Sequence, residues 1–157
     1  MSGMPKKTPT QELAEFLAKY DPAVAAIARS ALGRLRKRLA GATEMVYDNY
    51  NALAVGFGPS DRASEAILSI AVYPRWVSLF FLHGVRLKDP AKLLKGSGTR
   101  VRHIVLAKAS DIDSAPIAAL IAAALAGAAR PIDSKAKRRL IIKSVSAKQR
   151  PRRPVGG

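Results

Sequence analysis

Apolar residues recur at helical intervals up to about residue 40, and then the period becomes extended. A first helix is predicted from Thr10, with Thr10 as N-cap and Glu12 in the first turn; Leu13, Phe16 and Leu17 share one side. Asp21 followed by Pro22 supplies a second start, and Gly41 a natural stop. The apolar stripe of this helix runs from Val24 through Ile27, Ala31 and Leu35 to Leu39. Its other surface and last turns carry Arg29, Arg34, Arg36, Lys37 and Arg38. The helix dipole favours each cation near that end by about 0.3–1 kcal/mol.

Residues 45–50, 53–57, 66–73, 76–82 and 102–106 then read as five strands, with 66–82 folded as a hairpin around Pro74 and Arg75. Asp89-Pro90 opens a single helical turn ending at Leu94, and 95–98 is loop. Asp113 or Ser114 caps a final helix with Ile117, Leu120, Ile121, Ala124 and Leu125 inward. Consecutive strands with short connections pair antiparallel, and the helices are segregated from them. The prediction is an α+β fold, a two-layer domain in which an N-terminal helical pair and a C-terminal helix pack on an antiparallel sheet of about five strands.

The strand at 76–82 is apolar on both faces, with Trp76, Phe80 and Leu82 opposite Val77, Leu79 and Phe81. A half-solvated antiparallel strand should be polar on one of them. Seven of the nine aromatic residues also fall between positions 47 and 81. Helices cover one side of the sheet; rings on the other are either buried by the fold or a homodimer, or they line a ligand groove.

With 157 residues, 48% apolar, the chain is one domain with enough material for a core. The absence of cysteine excludes disulfides, zinc–thiolate and iron–sulfur sites, and a thiol nucleophile. Lys and Arg number 27 against 11 acidic residues, a net charge of +16 that points to polyanionic partners, nucleic acid among them. The excess is concentrated: residues 130–157 hold ten cations against Asp133 alone. The expected organisation is a flexible leader at 1–9, the domain at 10–129, and a basic, mostly disordered extension at 130–157. Residues 146–157 read as a solvated tail, whereas Leu140, Ile141, Ile142 and Val145 suggest a short extended segment docking on the domain. There is no signal-like leader and no run of ~18 apolar residues, so the expectation is a cytoplasmic protein with no membrane partner.

The loop at 95–103 resembles a phosphate cradle but lacks the Gly-Lys-Ser/Thr ending of a nucleotide-binding loop. As a plain nest for a small anionic ligand it would use Gly96 and Gly98 for backbone freedom and Arg100 and Arg102 for charge-assisted contacts. His103 would add a hydrogen bond, with Trp76 and Phe81 as an apolar wall. The alternative is a tight turn that glycine permits. His83 and His103 end or begin strands, but the acidic residues a metal site would also need (Glu44, Asp48, Asp61, Glu65) are scattered. No serine elbow or paired base is visible, so no enzyme and no cofactor is expected. Nucleic acid would be contacted by Lys137, Arg138, Arg139, Lys143, Arg150, Arg152 and Arg153, without sequence selectivity and with affinity falling in salt.

Several stretches resemble the YdhG-like family of small bacterial domains. They are the 44–50 strand region, Val77-Ser78-Leu79-Phe80-Phe81, Gly84, Leu87, Asp89-Pro90, Leu93-Leu94, Gly96-Ser97-Gly98, Arg102-His103-Ile104 and the 111–125 helix. The run from 84 to 103 is the most specific, and the likeness covers about 10–128, with a weaker one over the 141–153 tail. It implies a compact α+β domain without an established enzymatic activity or catalytic residues, and the aromatic sheet surface and the 96–103 loop make a non-catalytic binding or adaptor domain the expected function. Some members are described as frataxin-like iron chaperones, which makes intracellular iron delivery an implied alternative, one that would call on exposed carboxylates.

Overall fold

The structure, a computed structural model, describes residues 6–154; the first five residues of the expected leader and the last three of the expected tail lie outside it. Helix α1 (Pro9–Ala18) starts one residue before Thr10. Pro9 takes the first helical position, where its missing N–H costs nothing, so the cap falls on Thr8. The Gln11 N–H donates to the Thr8 hydroxyl, and the Gln11 side chain accepts from the Thr8 N–H, forming a capping box. Helix α2 (Pro22–Arg38) follows Asp21, which makes no side-chain cap bond. Past its end Gly41 adopts φ 83°, and a Cβ there would lie 1.9 Å from the Asp133 carbonyl oxygen. Only glycine satisfies both the left-handed backbone and that approach.

Strands β1 (Thr43–Asp48), β2 (Leu53–Gly58), β3 (Leu68–Val72), β4 (Val77–Phe81) and β5 (Arg102–Leu106) pair successively and antiparallel. Tyr73 N–H donates to the Trp76 carbonyl across the Pro74-Arg75 turn, as the hairpin pattern predicts. Among the strands and their connections, two features depart from expectation. Asp89-Pro90 does not begin a helical turn; the Asp89 carboxylate accepts from the Leu93 and Leu94 N–H groups and holds a non-helical bend. The sheet has six strands and is mixed: after helix α3 (Ala115–Ala126) the chain crosses to the far edge, where β6 (Arg139–Val145) lies parallel to β1. The order is β5-β4-β3-β2-β1-β6. Leu140 and Ile142 pack against the core from β6, while Arg139 and Lys143 stay exposed, so apolar burial and ladder bonds order a segment of net positive charge.

All three helices contribute to one core with a single face of the sheet. Its middle row is Val46, Val55, Ile70, Leu79 and Ile104, directly paired across five strands. Tyr20 closes one end: its buried phenol donates to the Val72 carbonyl at 2.8 Å and accepts from the Leu53 N–H at 3.2 Å. Burial pushes that phenol's pKa up.

The expected solvated tail is instead a clasp. Beyond β6, the Ser146 N–H and the Gln149 amide both donate to the Asp48 carbonyl, and the Arg150 N–H to the Tyr50 carbonyl. Arg152 donates through Nη2 to Asp48 Oδ1 (2.9 Å) and to the Asn49 carbonyl (2.5 Å), with both charged side chains at most 4% exposed. Arg153 Nε reaches the Lys19 carbonyl at 3.1 Å. The β1–β2 turn and the end of α1 present unpaired carbonyls, and guanidinium groups have the donors to satisfy them.

Candidate functional site

The helix-free face of the sheet is built from the alternate residues of each strand. One row across it is Met45, Gly56, Ser69, Phe80 and His103; the next is Tyr47, Ala54, Ala71, Ser78 and Val105. Small residues occupy the middle strands. Ala54, Ala71 and Ser69 therefore form the floor of a groove of about 580 Å³, with Tyr50, Tyr73 and Phe80 standing around it. The His103 ring leans on Phe80 at 5.2 Å.

Tyr73 and Asn51 also line a second concavity of about 710 Å³, so the two adjoin. Pro74, Arg75 and Trp76 from the hairpin turn form one wall, and Arg150, Pro151 and Arg153 from the clasp the other. Trp76 is 42% exposed, and its ring stacks on Tyr73 at 4.7 Å and 19°. The Arg150 guanidinium lies 5.8 Å from the Tyr50 ring centre, at the junction of the two hollows.

The local charge follows from how the few acids are used. Glu44, 1% exposed, is held by Arg36 (2.8 Å) and Arg138 (2.7 Å), and Asp48 by Arg152. Arg34 and Arg38 share Asp113, whose carboxyl their hydrogen bonds hold below the usual range. The Ser60 hydroxyl, and after it Arg130, lowers Glu65 in the same way. Among the described residues this leaves most of the 27 cations without an acidic partner. Arg75 and Arg150 are two of them, while Arg153 lies 4.0 Å from Asp21.

The anion nest expected at 96–103 is divided by the structure. Arg102 folds its guanidinium back onto the loop, donating to the Gly98 (2.6 Å) and Val101 (2.9 Å) carbonyls. Lys95 and His103 exchange backbone hydrogen bonds across the loop, Gly96 sits at φ 118°, and Gly98 and Arg100 are exposed. Phe81 is fully buried under the helices and forms no wall. Trp76 belongs to the other end of β4, about 16 Å along the strand from the level of Arg102. Strand alternation already sets residues 76 and 81 on opposite faces. Of the expected nucleic-acid contacts, Arg152 is buried, Arg138 is committed to Glu44, and Lys143 donates to the Asp61 carbonyl. Lys137 and Arg139 are exposed, and Arg150 and Arg153 come to the groove.

Sequence reasoning did not single out Tyr50, Tyr73, Asn51 or Arg75. The crowding of aromatics between 47 and 81 pointed to the face, but nothing local showed that residues 150–153 return to it. Among the described residues, no group of three or more His, Asp or Glu gathers as a metal would require, and no helix is long and apolar enough to cross a membrane. Comparison with protein-family models, with curated proteins and with solved structures found no match.

Proposed function

We propose that this chain is a non-catalytic binding domain of the YdhG-like type, and that its partner is single-stranded nucleic acid laid along the open sheet face and the arginine-lined groove. The observation that carries this reading is the exposed Tyr73–Trp76 stack, flanked by Arg75 and Arg150 and continuous with the ring-lined floor of the sheet. Unpaired bases offer π-faces to such rings, each stack contributing about 1–3 kcal/mol, while guanidinium groups take the phosphates. A base inside a duplex is already stacked and has no free face to offer. A sheet surface with a shallow trough suits extended single strands rather than a groove-reading helix. Arg152, expected as a contact, serves here by anchoring the segment that carries Arg150 and Arg153.

Trp76 is the single tryptophan, so its fluorescence reports on the site itself. Titration with a dodecamer of thymidylate or uridylate should quench it, with affinity falling linearly in log salt by about 0.7 per phosphate contact. Tyr73→Ala should weaken binding about tenfold, one stack lost, and Arg150→Ala should lower the salt slope by about one contact. Equal affinity for a duplex of the same length, with Tyr73→Ala unchanged, would defeat the proposal.

A further inference from the structure

A second concavity, on the helix side of the molecule and apart from the aromatic groove, has a different chemistry. It encloses about 270 Å³ between the last turn of α3 and the turn leaving β4. Ile67 and Phe81, both buried, form its floor together with Leu87. Alanines line it at 123 and 124 on α3 and at 128 just past the helix end, where longer side chains would fill the space. The titratable groups at its rim are His83, Arg86 and Lys88, and no acidic residue lines it. None of the three takes part in an ion pair among the described residues.

We infer that this cavity is a site for a small amphipathic carboxylate, such as a short acyl or aryl acid. The hydrocarbon part lies on Leu87 and the alanines at 123, 124 and 128, over the buried Ile67 and Phe81, where an apolar lining favours it. The carboxylate faces Arg86 and Lys88. Its orientation is fixed by the far rim, where the last carbonyls of α3 near Gly127 carry partial negative charge and repel an anion. A neutral molecule of equal size gains the apolar contacts but leaves the rim cations unpartnered. A compact anion such as phosphate pairs with the rim and leaves the floor empty. The combination of apolar lining and cationic rim therefore selects ligands with both parts.

The test titrates the full chain with hexanoate, benzoate, hexanol and inorganic phosphate, followed by amide chemical shifts of residues 83–88 and 123–128. Hexanoate and benzoate should saturate those shifts. Hexanol should bind about tenfold more weakly, and phosphate should not saturate. Ala124→Leu, which fills the cavity, should abolish binding; Ala128→Leu serves the same purpose should the first variant lose its helical circular dichroism. Arg86→Ala should weaken hexanoate several-fold and leave hexanol unchanged. Hexanol binding as tightly as hexanoate, or carboxylate binding that survives both leucine variants, would overturn the inference. Oligonucleotide binding measured at Trp76 is a separate readout and is expected to be the same with and without hexanoate.

Discussion

Arg152→Met is the sharpest perturbation the fold offers. The Arg152 side chain is 4% exposed and Asp48 is 1% exposed, at 2.9 Å, so neither charge has water to fall back on. Truncating one partner leaves the carboxylate buried and unpaired, which costs about 3–5 kcal/mol. Two carbonyl contacts, to Asn49 and Tyr50, are lost with it. For a chain of this size 1 kcal/mol corresponds to about 2–4 °C, so the melting temperature should fall by roughly 6–20 °C. The pair is also imperfect: Asp48 Oδ2 and Arg152 Nε are buried without partners. Replacing both residues, Asp48→Leu with Arg152→Met, should therefore recover most of the loss, because an apolar pair of similar volume removes the desolvation of two charges. Urea denaturation of wild type, both single variants and the double variant gives the coupling directly. A single-variant cost below about 1 kcal/mol, the ordinary value of an exposed pair, would refute the argument that the clasp is a buried electrostatic lock.

Two further outcomes follow from the same structure. Gly41→Ala should destabilise by well over the ~1–2 kcal/mol of a left-handed residue, since the new Cβ would meet the Asp133 carbonyl; a melting temperature within 2 °C of wild type would count against that packing. Asp113, its folded pKa lowered by Arg34 and Arg38, adds stability that is complete above about pH 4 and is lost as pH falls through the folded value; Asp113→Asn should therefore flatten that part of the acid-unfolding curve, and an unchanged acid limb would contradict the pairing.

The parts of this fold that were legible in the sequence are those whose cause is local. Pro74-Arg75 between two β-branched and aromatic runs marks its own hairpin, and Asp21-Pro22 its own helix start. The observed cap at Thr8 lies two residues before the expected Thr10 because the two threonines are equivalent in type, and Pro9 decides between them. Leu140, Ile141 and Ile142 announced a docking segment, but its partner and its parallel direction depend on β1, nearly a hundred residues earlier. Arg150-Pro-Arg-Arg-Pro has the composition of a solvated tail; only the position of Asp48 and the carbonyls beside it makes Arg152 a core residue. The aromatic face was legible as a crowd of rings, while its arginine wall was not, because that wall exists only once the clasp has closed.

The sheet order places the last strand beside the first, so the sheet is complete only when the end of the chain has joined it. A meander of five strands can pair as each leaves the ribosome, yet β1 keeps one side of its backbone unsatisfied until β6 arrives. Truncation ahead of Arg139 would strip off that cover and leave a bare strand margin able to recruit a neighbouring molecule, so proteolysis in the 127–138 connection should convert the ordered fold into an aggregation seed.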